Sequence, residues 1–292
     1  MCDERIVDDW NRHFERAVNL TRRQFGALSV GAGMAFMLPR AVGAVEVTGA
    51  DIDVSTPDGK CDCHFVHPTS GQHPGVVIWP DALGLRPAFK QMGQRLAESG
   101  YSVLVVNQYY RERRAPGAQP GEHFGQEDTQ KRIRALMATL NPQTHVTDAR
   151  AFVTFLDGQG SVDPHRKMGT MGYCMGGPIT MRTAAAVADR IGAGASFHGG
   201  GLVTDQPDSP HLLVSGMKAH YLFAIAENDD ENQPEAKDVL RATFAAANLP
   251  AEIEVYDGAL HGWCPPDSRV YNEPQAERAW SRLLALFENA LS

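Results

Sequence analysis

Only five of the 292 residues are cysteine, too few for a disulfide-stapled scaffold in a chain of this length. No apolar run reaches the roughly 20 residues that a membrane-spanning helix needs. Basic excess is missing as well. With 27 Lys and Arg against 35 Asp and Glu, the formal charge of −8 lacks the positive footprint of a nucleic-acid binder. Neither HExxH nor CxxC occurs, and the histidines show no paired ligand spacing, so no metal site is expected. Repeats, long linkers and low-complexity tracts are absent beyond the N-terminal segment. What remains is ordinary globular composition, 43% hydrophobic and 21% charged. A domain of this size buries about 75% of its unfolded surface and needs no staples.

The N-terminus is a separate case. Polar residues lead to Leu20-Thr21-Arg22-Arg23-Gln24-Phe25, an uncharged small-residue stretch from Gly26 to Leu38, and then Pro39-Arg40-Ala41-Val42-Gly43-Ala44. Paired arginines before a short apolar core and a small-x-small site read as a twin-arginine export signal. An ordinary amphipathic helix is the competing reading, but Gly26, Gly31 and Gly33 make a poor one. Cleavage after Ala44 leaves residues 45–292 as one domain, delivered by the twin-arginine machinery to the periplasm or the exterior with no membrane anchor. That domain keeps Cys61, Cys63, Cys174 and Cys264. The first two are too close in sequence for an easy mutual bridge on a strand.

The rest of the chain alternates. Residues 47–55 and 61–67 read as strands joined by a Thr56-Pro57-Asp58-Gly59 turn. Continuous apolar runs at 75–79 and 103–106 suit strands covered on both faces. Helical spacing appears at 89–99, 126–140, 145–156, 178–189, 234–247 and 273–291. Further strands are expected at 167–171, 194–197, 219–226 and 251–256. Such alternation predicts an α/β fold: a mostly parallel sheet with helices on both faces, its chemistry at the carboxyl ends of the strands.

One of those ends is unusual. Gly172-Tyr173-Cys174-Met175-Gly176-Gly177 lies directly between an expected strand and an expected helix. G-x-C-x-G is a nucleophile elbow with cysteine in place of serine. The glycines leave room for a sharp turn, and the helix N-terminus favours a thiolate. A buried structural cysteine or a phosphate loop would share the glycines. Chain order downstream of Cys174 argues for the elbow. The 219–226 strand ends in Glu227-Asn228-Asp229-Asp230, an acidic loop, and the 251–256 strand is succeeded by Gly258-Ala259-Leu260-His261-Gly262-Trp263. Nucleophile, acid and histidine thus come in the order such a triad requires, with Asp229 or Asp230 orienting His261 and His261 serving Cys174. His198 also sits at a strand end, but between nucleophile and acid, so it is expected to line the pocket rather than act as base.

Cys174, Asp229 and His261 in these settings resemble the dienelactone hydrolase family of α/β-hydrolases, over about residues 50–291. The resemblance implies an α/β-hydrolase fold and an ester or lactone hydrolase of the carboxymethylenebutenolidase type. No cofactor is implied. It prefers Asp229 as the acid, three residues after Ala226. It sets Asp81, in Pro80-Asp81-Ala82-Leu83-Gly84, where the family has a glutamate that pairs with the resting thiol. The amides of Ala82 and Met175 take the place of the oxyanion hole. Tyr109-Tyr110-Arg111 is similar to the family segment whose arginine holds a substrate carboxylate, so Tyr109, Arg111, His198 and Trp263 are expected around the substrate. Two departures stand out. Asp81 is one methylene short of glutamate. Pro265 stands four residues past the histidine, where the family's lactonase has an arginine, which removes a charged hydrogen bond of roughly 1.5–3 kcal/mol.

The expectation is therefore a monomeric, exported hydrolase of small esters or lactones. Its rivals are a broader carboxylesterase, a binding protein on a decayed hydrolase fold, and a redox device pairing Cys174 with Cys264.

Overall fold

The computed structural model describes residues 43–292 together with Leu38 and Pro39; the paired arginines and most of the apolar stretch behind them lie outside the described residues. Strands β1 (Val47–Thr56) and β2 (Gly59–Pro68) form the expected hairpin. Its turn is closed by the Asp58 N–H on Thr56 Oγ1 at 3.1 Å, and Gly59 takes a φ of 134° that other residues resist.

From there strands and helices alternate. They run β3 (Gly75–Trp79), α1 (Pro87–Glu98), β4 (Ser102–Val106), α2 (Glu127–Met137), α3 (Pro142–Asp157), β5 (Met168–Tyr173) and α4 (Gly176–Ala186). After β6 (Ile191–Phe197) and a 3₁₀ turn, Pro210–Gly216, come β7 (His220–Ala226), α5 (Glu227–Asn232), α6 (Ala236–Ala246), β8 (Ala251–Tyr256) and α7 (Glu273–Ala290). The eight strands make one sheet in the order β1-β2-β4-β3-β5-β6-β7-β8. Pairing is antiparallel at β1–β2 and β2–β4 and parallel from β4 onward. The mostly parallel α/β sheet expected from the sequence is the one observed.

Strand periodicity divides the core. Val76, Ile78, Val103 and Val105 turn to one face and pack with Phe89, Met92 and Leu96 of α1 and Leu283 and Phe287 of α7. Val77, Trp79, Leu104 and Val106 turn to the other, against Phe152 and Leu156 of α3, Ile179 of α4 and Phe244 of α6. Each such side chain removed from water contributes about 1.5–3 kcal/mol. The central strands are thereby pinned on both faces, and their carboxyl ends are held at one edge.

Two local readings need correction. The acidic 227–230 segment is not a loop: it begins α5, a short helix starting directly at the end of β7. Strand β6 starts at Ile191 rather than 194. The glycines at 192 and 194 resemble a turn in sequence, but they serve packing, since a Cβ on Gly194 would collide with the Tyr221 ring.

Candidate active site

The elbow follows from steric detail. Cys174 joins β5 to α4 at φ 53°, a left-handed conformation costing roughly 1–3 kcal/mol in a non-glycine residue. The turn is tight enough that a Cβ on Gly172 would strike the Gly176 carbonyl, and one on Gly176 would strike the Trp79 carbonyl. Two acceptors hold the Cys174 N–H, the Phe197 carbonyl at 3.0 Å and His198 Nδ1 at 3.1 Å.

The other two triad candidates converge on it. His261, 1% exposed, hydrogen-bonds the Cys174 side chain. Its Nδ1–H donates to Asp229 Oδ2 at 2.8 Å and Oδ1 at 3.0 Å. Asp230 is turned away onto Lys237 Nζ, at 2.6 and 2.7 Å, so geometry separates the two neighbouring aspartates. The Asn228 side-chain oxygen accepts the His261 backbone N–H at 2.8 Å. Burial disfavours a charged imidazole here, but the Asp229 carboxylate, the charge of Cys174 and the hydrogen bonds to both outweigh it, and the His261 pKa is pushed up to about 10.

His198 lines the same pocket, fully buried and also in a left-handed conformation, φ 41°. Burial and then the charge of His261 hold its pKa well below the ordinary value, so it is neutral. Because its Nδ1 accepts from Cys174, its proton sits on Nε2. Its ring meets His261 edge to face at 5.0 Å and Trp263 at 5.2 Å.

Not every residue read from the sequence reaches the pocket, a cleft of about 500 Å³ lined by Asp81, Ala82, Cys174, His198 and His261 among others. Trp263 is fully buried beneath His198 and stacked on Tyr256 at 5.4 Å, a floor rather than a wall. Tyr109 is a buried strut: its hydroxyl donates to the Ala82 carbonyl at 2.8 Å and lies 3.2 Å from Met175 Sδ, bracing both loops of the expected oxyanion hole. Arg111 is drawn off the lining by Asp148, at 2.7 and 2.8 Å, and by Asp58, at 2.6 and 3.0 Å. Asp81 lines the pocket but is bonded to the Arg86 guanidinium at 2.7 and 3.0 Å. One methylene shorter than the family's glutamate, it engages both carboxylate oxygens in this ion pair.

Sequence reasoning missed Asn228, Arg86 and Asp267. Only for Asn228 was there a signal, its place beside the acid at a strand end. Among the described residues no group of His, Cys, Asp or Glu is arranged to hold a metal ion, and no helix is long and apolar enough to cross a membrane. Among the described residues no two cysteines form a disulfide, and the Cys61 and Cys63 sulfurs lie 3.5 Å apart. Cys264 is buried beside Tyr173 and Trp280, outside the pocket lining, and burial pushes its thiol pKa up.

A mostly parallel sheet whose elbow follows β5, with an acid after β7 and a histidine after β8, defines an α/β-hydrolase. The dienelactone hydrolase family model matches residues 62–291, and the chain belongs to that family as a dienelactone hydrolase-like hydrolase. The carboxymethylenebutenolidase of Rhodococcus opacus is 25% identical over 234 residues, 78% of this chain and 86% of its own length. Among solved structures, a dienelactone hydrolase-like promiscuous phosphotriesterase from metagenomic libraries shares the fold at TM-score 0.69 and 21% identity, covering 86% of this chain and all of the other. The dienelactone hydrolase of Anabaena variabilis does so at TM-score 0.61 and 16% identity, with 84% and 99% covered.

Proposed function

We propose that this hydrolase cleaves carboxylic esters or lactones through a Cys174–His261–Asp229 triad and a thioester intermediate. The observation that carries the reading is one chain of contacts at the pocket floor: thiol to imidazole, imidazole to carboxylate, with the sulfur on a strained turn. Cys174 as thiolate attacks the carbonyl carbon, and the carbonyl electrons move to oxygen. The Ala82 and Met175 amides hold that oxyanion. His261 gives its proton to the leaving alkoxide as the carbon–oxygen bond breaks, and Asp229 keeps the ring oriented. Water then enters, loses a proton to His261 and adds to the thioester, and collapse expels the thiolate with the acid as product. A sulfur nucleophile suits activated esters and strained enol-lactones better than amides, whose amine leaves poorly. The protein acts after export, a reading supported by Arg22-Arg23 and the apolar stretch behind them, and it acts as a monomer.

The test is hydrolysis of a dienelactone and of a simple aryl ester by the purified chain beside Cys174→Ala. Turnover of either that vanishes in the variant is the expected result, and dienelactone turnover would identify a lactonase. Equal rates in the two proteins, or none in either, would remove the triad from the mechanism.

A further inference from the structure

The pocket holds a buried cation that has nothing left to offer a substrate. Arg86, 6% exposed at the start of α1, lies between Asp81 on the loop after β3 and Asp267 on the segment after His261. Its Nε and Nη2 donate to Asp267 at 2.7 and 3.0 Å, and its Nη1 and Nη2 donate to Asp81 at 2.7 and 3.0 Å. The second Nη1–H donates to the Gly84 carbonyl at 3.3 Å. A guanidinium has five N–H donors, and these contacts engage all of them. The Phe89 ring lies against its face at 4.8 Å.

The remaining charges do not compensate. Glu122 in the lining is held by Arg132, and the other lining cation, Arg269, is solvent-exposed beside His123 at 3.5 Å. The wall therefore sets Asp81 and Asp267 on Arg86 and Glu122 on Arg132, and its charged His261 is held by Asp229 and Cys174. Between them it is apolar: Leu83, Pro87, Ala118, Phe124, Pro266 and Val270. A carboxylate entering here sheds water and meets two aspartates whose partner has no donor left. An apolar group meets matching surface.

Resting on the cysteine-hydrolase reading, we infer that this pocket selects uncharged esters or lactones with an apolar substituent and rejects those bearing a free carboxylate. Asp81 and Asp267 are its specificity-determining residues, because they keep Arg86 from an anionic substrate. The experiment compares kcat/KM for 4-nitrophenyl butyrate with that for the mono-4-nitrophenyl ester of glutaric acid, which adds one carboxylate to a similar chain. Wild type is expected to favour the neutral ester by about tenfold or more, the equivalent of one forfeited ion contact. Asp267→Asn removes a charge and loosens Arg86, and is expected to narrow that ratio severalfold. Should it fail to fold, Asp81→Asn supplies the same arm. Equal or reversed preference in wild type overturns the inference and leaves the hydrolase standing. A preference for the charged ester that disappears in Arg269→Ala also overturns it and moves the anchor to the exposed arginine. Loss of Cys174-dependent turnover on both esters would instead strike the underlying reading.

Discussion

Two histidines stand 5.0 Å apart, one ending β6 and the other following β8, and their charges are driven in opposite directions. His198 and His261 are 0% and 1% exposed, so burial presses both toward the neutral form. His261 has the Asp229 carboxylate on Nδ1 and Cys174 beyond, and it stays charged with a pKa near 10. His198 has a backbone N–H on the same atom, and charged His261 for a neighbour, and it is neutral. In a dry site the partner decides, not the ring. One imidazole holds a proton it can give up, while the other is a fixed acceptor steadying the Cys174 backbone.

The sharpest way to break the contrast is to take away the carboxylate. Asp229→Asn leaves His261 with burial and the thiol alone, which lowers its pKa and presents the wrong hydrogen-bonding atom to Nδ1. Loss of the orienting acid in a triad costs roughly 10³–10⁴-fold. A fall of that order in kcat/KM on an aryl ester is expected, with the pH profile displaced to lower pH. A loss under tenfold would mean that Asp229 does not orient the base.

The converse change bears on His198. Asparagine tolerates its left-handed backbone but cannot act as a base. In His198→Asn, Cys174 keeps the Phe197 carbonyl as acceptor, so the loss is that of one neutral hydrogen bond, about 0.5–1.5 kcal/mol or roughly two- to tenfold in rate. The fall should appear in kcat while the pH profile keeps its shape. A collapse as deep as that of His261→Ala would give His198 a proton-transfer role and erase the distinction.

The two histidines were separable in sequence only by order. Both come after strands and precede glycine, in Phe197-His198-Gly199 and Leu260-His261-Gly262. The elbow was legible because its glycines answer to a steric demand, and the helical and strand periods placed it at the right edge of the sheet. Asp229 and Asp230 were separable only through the family resemblance. In α5 the two lie about 100° apart around the helix, which sends one to His261 and the other to Lys237. The start of α3 was legible and missed: Asn141 caps the Gln143 and Thr144 amides and Thr144 caps back, a capping box. The Arg86–Asp267 pair was not legible, being 181 residues apart in the chain. Nor were the roles of Tyr109, Arg111 and Trp263. A residue near a strand end points toward the pocket, the core or the flank according to its tertiary partners, and spacing does not report those.

The smallest effect concerns stability, and its sign follows from the direction of each shift. His261 binds its proton in the native state up to about pH 10 but when unfolded only to its ordinary value of 6.5. Its contribution is therefore complete below pH 6.5 and lost as pH rises toward 10. His198 is neutral when folded, so its contribution is present above pH 6.5 and lost as pH falls below it. Cys174 contacts the imidazole and helps hold its proton, so the imidazole has to be read without it. In Cys174→Ala, thermal melts should show the midpoint declining as pH rises from 6.5, with the decline ending short of 10 because Cys174 no longer helps hold the proton. Adding Asp229→Asn should flatten that alkaline limb and leave the acid limb in place, while His198→Asn should do the reverse. If both limbs respond to the same substitution, the two rings titrate as one coupled unit, and the assignment of the proton-transfer role to His261 alone fails.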